Sequence, residues 1–479
     1  MSLFVRLDRA SDETLHDQLV AQTRRAILTR QLPAGMRLPA TRVLAADLGI
    51  SRNVIVSAFD ELISEGYLEA RVGSGTYIAH DVTPLPGGAL AVPVGRPRWL
   101  TDAPPVGLTP MPGQIDFRLG QPTIAPLPLS VWRGAWRDVL GTLPSATYGP
   151  AAGDPALRAA IAAYLGRARG IACGPDDVIV TAGAVQALES IARATLAPGD
   201  AVGMEEPGYP EARAVFLSRG ARIVPIPVDD DGLRVDALPT GPDAPLLVYV
   251  TPSHQYPLGA RLPVSRRMAL LAWAAVHDSL IIEDDYDSEF RFDAPPLPAL
   301  AGLDDAGRVA YIGTFSKVLT PSLRAGYLVA PLPLRERIAG LTPETARQTP
   351  WPIQRALTHF LLSGDLERHI RRMRRHYAAQ RAALHDALAP IAPLAHLQGL
   401  EAGLHAYLAL RPDLDPASII ARAAARGVTV YSLAPYYLGE PDRNGILLGY
   451  GGLTHDAVIR GARALAEAIE DAARGEPRP

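Results

Sequence analysis

The sequence predicts an α/β main body, with a mostly parallel sheet and a small C-terminal α+β lobe, behind a compact N-terminal head of helices closed by a β-hairpin. Three observations predict it. After residue 114, short apolar runs alternate with helical stretches, the pattern of a parallel sheet with crossover helices. Residues 12–80 read as helices separated by tight glycine turns and followed by two short alternating strands. Between them, residues 81–113 are rich in proline with little apolar periodicity, a semi-extended linker.

The head comes first. Leu15, Leu19, Ala26 and Ile27 approximate helical spacing, and Leu32-Pro33-Ala34-Gly35 breaks the run. A short helix starts at Thr41, turns at Gly49-Ile50 and hands over to a second helix with Ser51 as its N-cap. Ile55, Phe59 and Leu62 face inward on that second helix. Tyr67–Val72 and Thr76–Ile78 flank Gly73-Ser74-Gly75 as a hairpin, which completes a winged helix-turn-helix. Such a unit sets its second helix in the major groove of DNA. The N-terminal residues of that helix, Ser51, Arg52 and Asn53, with Val56 one turn on, are then the candidate base readers. Arg37, Thr41, Arg42 and Arg71, with the Gly73-Ser74-Gly75-Thr76 wing, are the candidate backbone contacts. The head is not basic overall, with nine Arg against nine Asp or Glu in residues 1–80; its arginines concentrate where the motif uses them.

Composition bounds the rest. At 479 residues with net charge −3, the chain is long enough for several domains and is no polyelectrolyte. A lone Cys173 rules out an intrachain disulfide framework and fits a reducing compartment. No apolar run reaches the length of a membrane span, and the first residues lack a signal-peptide core, so a cytoplasmic protein is expected. No metal site is expected.

In the body, Val178–Val180, Leu246–Val250, Leu280–Ile282 and Val309–Ile312 read as buried strands. Each runs into residues suited to chemistry, as ligand binding at the carboxyl ends of such strands requires. The turn after the first, Gly183-Ala184-Val185, opens a helix whose free N–H groups form a phosphate cradle. The third runs into Glu283-Asp284-Asp285-Tyr286-Asp287, and the fourth into Thr314-Phe315-Ser316-Lys317. Further on, Arg368–Tyr377 is dense in arginine; a bridging helix with Leu366, Ile370, Met373 and Tyr377 inward and the arginines solvated is preferred to a nucleic-acid contact.

Lys317 is the only lysine; every other basic side chain among the 47 is arginine. Arginine can supply surface charge or a phosphate contact, but it cannot lose its proton and act as an amine nucleophile. The chemistry that demands lysine is a Schiff base, and pyridoxal phosphate is the common aldehyde partner. Thr314 and Ser316 offer hydroxyls nearby, and Arg324 a planar fork suited to phosphate.

Two resemblances follow from these residues. L-P-A-T-R-x-L-A-x-x-L-G-I-S-R-N with the G-S-G-T wing resembles the GntR family of bacterial winged-helix regulators. S-K-x-L-x-P-x-L-R-x-G-Y around Lys317 resembles the lysine segment of fold-type I aminotransferases. Joined by a long linker, they resemble the MocR-type subfamily of GntR regulators. The resemblance implies a head at 12–80, a linker at 81–113 and an aminotransferase-like domain at 114–479, with a large lobe to about 350 and a small lobe from about 351. It implies pyridoxal phosphate held as an aldimine by Lys317, Asp284 paired with the pyridine nitrogen and Tyr286 bonded to the phenolic oxygen. Tyr209 would stack near the ring, and Tyr148 would reach the phosphate of the other subunit of a head-to-tail homodimer.

The body departs from an aminotransferase at two places. The usual asparagine turn reads Gln255-Tyr256-Pro257-Leu258-Gly259, and Leu447 stands where an arginine clamps a substrate carboxylate, leaving Arg443 and Arg213 as replacements. The function implied is therefore a DNA-binding regulator that senses pyridoxal phosphate or a small amine or amino acid. Its rivals are a working aminotransferase with an accessory DNA-binding head, and a plain repressor whose body is a dimerisation scaffold.

Overall fold

A computed structural model of the chain describes residues 5–9, 11, 13–71, 73–82, 113–144, 146–292, 298–345 and 349–475. It consists of two units, Met1–Gly107 and Leu108–Pro479. Nearly all of the 81–113 linker expectation lies outside the described residues, as do Asp12 and Val72.

In the head, α1 (Leu15–Leu28), α2 (Thr41–Leu48) and α3 (Arg52–Ser64) precede a hairpin of β1 (Leu68–Arg71) and β2 (Gly75–Ile78). Ser51 caps α3 by accepting the Val54 amide at 3.4 Å, and Gly49 ends α2 at φ +64, a conformation that favours glycine. Leu19, Leu44, Ile55 and Leu62 are fully buried together, each contributing about 1.5–3 kcal/mol of apolar transfer. Their burial leaves the opposite face of α3, with Arg52 and Asn53, exposed.

The body is built on an eight-stranded sheet. Its strands are β3 (Val178–Thr181), β4 (Ala201–Glu206), β5 (Arg222–Asp229), β6 (Gly232–Leu233), β7 (Leu247–Val250), β8 (Leu280–Asp285), β9 (Val309–Thr314) and β10 (Gly326–Val329). Their order is β3-β10-β9-β8-β7-β4-β5-β6; β10 runs antiparallel to both neighbours, β6 antiparallel to β5, and the others are parallel. Period-two alternation sends Tyr249, Ile282 and Ile312 into one apolar layer with Leu188 and Ile191 of α4 (Ala184–Thr195), while Val248, Val250 and Ile281 enter a layer on the other face.

Strand β8 runs three residues further than its apolar stretch predicts, through Glu283, Asp284 and Asp285. Burial of these carboxylates is possible because each finds donors. Glu283 accepts the Leu300 and Ala301 amides at 2.8 Å each, and Asp285 pairs with Arg169 at 2.7 Å and with the Tyr311 hydroxyl at 2.7 Å.

The C-terminal lobe carries α5 (Asp365–Leu388) and a four-stranded antiparallel sheet of β11 (Ala395–Gln398), β12 (His405–Leu410), β13 (Tyr431–Ser432) and β14 (Gly445–Gly449), in the order β11-β12-β14-β13. Helix α5 buries Leu366, Ile370, Met373 and Tyr377 while Arg368, Arg371, Arg372, Arg374 and Arg375 line an open groove. Ile115-Asp116, assigned by sequence to the large lobe, pairs with Val428-Thr429 of the C-terminal lobe, because the Ile115 and Phe117 amides bond the carbonyls of Gly427 and Thr429.

Candidate functional site

The carboxyl ends of β3, β4, β7, β8 and β9 lie along one edge of the sheet, and the residues that follow them converge there. Asp284 on β8 stands in register with Ile312 on β9, five residues before Lys317. Because β10 runs the other way, its entry residue Arg324 returns to the same edge, with Gly326 opposite Thr181.

Lys317 follows β9 and is largely buried. Burial lowers the pKa of its amine, against the opposing charges of Asp287 and Asp284. Its Nζ donates to the Gly120 carbonyl at 2.7 Å. Gly120 has φ +70, and a Cβ there would lie 2.7 Å from Nζ, so the backbone itself closes over the amine. Sequence reading gave no signal for Gly120.

Asp284 is fully enclosed, and burial pushes its pKa up to about 7. One carboxylate oxygen accepts from the Tyr249 hydroxyl at 2.8 Å; the other is buried without a partner. Tyr249 was visible in sequence only as a strand residue. Thr314 Oγ1 accepts the Ser316 amide at 3.1 Å and so shapes the turn into Lys317.

At the end of β3, Gly183 sits at φ +112 and opens α4, with Ala184 and Val185 as its first residues. The first amides of a helix have no intrahelical acceptor, which makes this turn an anion site by construction. The Arg324 guanidinium points to the same turn, 3.9 Å from where a Gly183 Cβ would be, from an exposed residue in the left-handed region at φ +47.

The ring side of the site is aromatic. Tyr286 donates to the His254 carbonyl at 2.9 Å and lies 3.0 Å from its Nδ1. His254 Nδ1 also pairs with Asp287 at 2.9 Å; burial disfavours its charge, but Asp287 outweighs that and the net shift is upward. His405, 4.8 Å away ring to ring, is held far below its usual range by burial and by that neighbouring charge. Tyr256 joins Tyr209 edge-on at 5.4 Å, Tyr286 at 5.7 Å and Tyr436 at 5.6 Å. Sequence reasoning assigned no role to His254, His405, Tyr256 or Tyr436. Tyr148 is 80% exposed.

Both departures have structural consequences. Gln255 is engaged by its surroundings, donating to the Pro207 and Tyr256 carbonyls at 2.8 Å each and accepting the Leu258 amide at 3.1 Å. Leu447 is fully buried, opposite Tyr407 and Tyr431 in its sheet. Its suggested replacements are engaged elsewhere: Arg443 with Asp230 and the Val228 carbonyl at 3.3 Å each, and Arg213 with the Pro435 carbonyl at 2.9 Å.

In the head, Arg37, Arg42, Ser51, Arg52, Asn53, Arg71, Gly73 and Gly75 are exposed, while Thr41, Val56, Ser74 and Thr76 are half-buried. Arg52 Nε donates to Thr41 Oγ1 at 3.4 Å, which ties the start of α3 to the start of α2. The Arg37 guanidinium lies against Gly75, 3.1 Å from where its Cβ would be, and Arg71 stacks over Tyr77 at 4.6 Å. The first contact joins the two helix starts, and the other two lie at the wing.

Comparison with known proteins agrees with this geometry. Residues 112–441 match the family of class I and II aminotransferases, and residues 15–78 match the bacterial regulatory proteins of the gntR family. The chain is 38% identical to a probable rhizopine catabolism regulatory protein, MocR, of Rhizobium meliloti, over 97% of this chain and 95% of that one. It is also 38% identical to the HTH-type pyridoxine biosynthesis transcriptional regulator PdxR of Corynebacterium glutamicum, over 92% of each. Among solved structures, a kynurenine aminotransferase of Pyrococcus horikoshii superposes with a TM-score of 0.70 at 28% identity, covering 75% of this chain and 91% of that one.

Proposed function

The chain belongs to the MocR-type GntR regulators, which join a winged helix-turn-helix head to an aminotransferase class I and II body, and on that premise we propose that it is a transcriptional regulator whose body senses a ligand through pyridoxal phosphate at Lys317. The observation that carries the reading is the pairing of the sole lysine, half-buried at the sheet edge, with a buried carboxylate that keeps one oxygen unpartnered. An unsatisfied buried carboxylate is costly, and a protonated ring nitrogen is the group that would satisfy it.

Pyridoxal phosphate, when bound, supplies an aldehyde that condenses reversibly with primary amines. Lys317 would hold that aldehyde; burial lowers the pKa of its amine from the usual lysine value, which eases the loss of the proton that nucleophilic attack requires. Asp284, oriented by Tyr249, would keep the proton on the ring nitrogen. Gly183, Ala184, Val185, Thr314, Ser316 and Arg324 would hold the phosphate, and Tyr286 the phenolic oxygen. Tyr209 would flank the ring. Tyr148, exposed on its own subunit, would reach the phosphate bound by a second subunit of a head-to-tail homodimer.

The head, residues 12–80, reads an operator through Arg52, Asn53 and Val56 and grips phosphates through Arg37, Arg42, Arg71 and the wing. A linker over 81–113 joins it to the body, 114–479. No helix among the described residues is long and apolar enough to cross a membrane; we place the protein in the cytoplasm. A ligand that binds the two states of the body unequally shifts operator affinity by that difference. The test is the absorbance spectrum of purified protein, then borohydride reduction and peptide mapping. A yellow protein with the reduced adduct on Lys317 is expected; a colourless protein that takes up no cofactor would leave the body a scaffold.

A further inference from the structure

Behind Tyr286 stands a histidine whose protons are fixed by its neighbours. His254 follows β7 and Asp287 lies two residues beyond β8. Nδ1 of His254 is 2.9 Å from an Asp287 carboxylate oxygen, and Nε2 is 3.3 Å from the Gly399 carbonyl of the C-terminal lobe. Neither a carboxylate nor a carbonyl has a hydrogen to give, so both ring nitrogens are donors and the imidazole is charged. Each side chain of the pair is 1% exposed. Gly403, at φ +80, closes over it, and a Cβ there would collide with both side chains.

The surrounding charges agree. Burial disfavours the His254 charge and Arg291 opposes it, but Asp287 prevails and the net shift is upward. His405, 4.8 Å away ring to ring, is held neutral.

This charge decides where the Tyr286 proton can go. The Tyr286 oxygen lies 3.0 Å from His254 Nδ1 and 2.9 Å from the His254 carbonyl. A bare Nδ1 would accept the phenol proton. A protonated Nδ1 can only donate, which leaves the His254 carbonyl as the one rival within this pair of contacts to an incoming oxygen. A hydroxyl whose oxygen faces a cationic donor is also a stronger donor itself.

We propose that His254, kept charged by Asp287, is a positioning residue for Tyr286: it offers the phenol no acceptor on the imidazole and so leaves the Tyr286 proton for the phenolic oxygen of the cofactor. The inference rests on the reading of Tyr286 as the partner of that oxygen.

The test follows the visible absorbance band of full-length, pyridoxal-phosphate-loaded protein against pH. A ring oxygen deprived of the Tyr286 bond holds the titrating proton of the chromophore more tightly, so Tyr286→Phe should raise the midpoint. Asp287→Asn should raise it too, by about one pH unit, a tenfold change in the proton equilibrium. The histidine then loses its proton together with the carboxylate, so the net charge of the pair is unchanged and the shift reads the hydrogen bond. Combining Asp287→Asn with Tyr286→Phe should give no further rise. Histidine NMR of cofactor-free protein supplies a second readout, one that does not depend on the variant folding. In the wild type His254 should titrate above the ordinary value of about 6.5. A neutral His254 at pH 6 in the wild type, an unchanged or lowered band midpoint in Asp287→Asn, or additive shifts in the double variant overturn the positioning role, while a borohydride adduct on Lys317 keeps the sensor reading. Protein that takes up no cofactor overturns both.

Discussion

Asp284 and Tyr249 share a single 2.8 Å hydrogen bond that fixes the carboxylate and leaves its second oxygen buried and unpartnered. Removing the charge should therefore matter more than removing the orienting hydroxyl. Asp284→Asn is expected to weaken cofactor binding by about 2–3 kcal/mol and Tyr249→Phe by about 1 kcal/mol. Absorbance titration of cofactor-free protein measures both.

The same burial gives a pH signature. Asp284, Glu205 and Glu283 are each raised by burial to about 7 in the folded protein. Their native pKa lies above the unfolded value, so the native state binds more protons between about pH 4 and 7. Stability of the cofactor-free protein should then fall as pH rises through that window and level off above it. In Asp284→Asn the slope should lessen by up to about 1.4 kcal/mol per pH unit. Urea unfolding at several pH values reads this directly; a slope unchanged by the substitution rules out Asp284 as a contributor.

Gly120 supplies a steric test. A methyl group there would stand 2.7 Å from the lysine nitrogen, at a positive φ that disfavours side chains. Gly120→Ala should leave the folded spectrum by circular dichroism intact yet reduce the borohydride-trapped adduct on Lys317 at least about tenfold, because the amine must move to make room.

The head makes its own prediction. Arg52→Ala should cost about 1–3 kcal/mol and relax preference at one base position, whereas Arg42→Ala should weaken binding across sequences and lower the salt slope by about 1. Binding isotherms on operator variants at several salt concentrations separate the two.

How much of this was legible beforehand depends on where the information sits. The head was readable because Ser51, Gly49 and the Gly73–Gly75 wing are local signals, each acting on its neighbours in sequence. Lys317 stood out through its singularity, and Asp284 lies at the end of one strand as Lys317 follows the next. The mate of Asp284, Tyr249, and the cover over Lys317, Gly120, come from segments 35 and 197 residues away in sequence, and nothing local marks them. The buried fate of Glu283 and Asp285 was hidden for the same reason: an acidic run looks solvated until Arg169 and the amides of residues 300 and 301 are brought to it.

The strand at Ile115-Asp116, joined to Val428-Thr429, has a mechanical meaning. Phe117 is bonded on both sides, to Thr429 and to Gly449, and three residues later the chain offers its Gly120 carbonyl to the lysine. The segment that opens the described body thus runs as a splint clamped by the C-terminal lobe and latched, at Gly120, by the reactive amine. Any group that takes that amine competes for it with the Gly120 carbonyl, and so with the side-chain bond that ties the splint to the lysine.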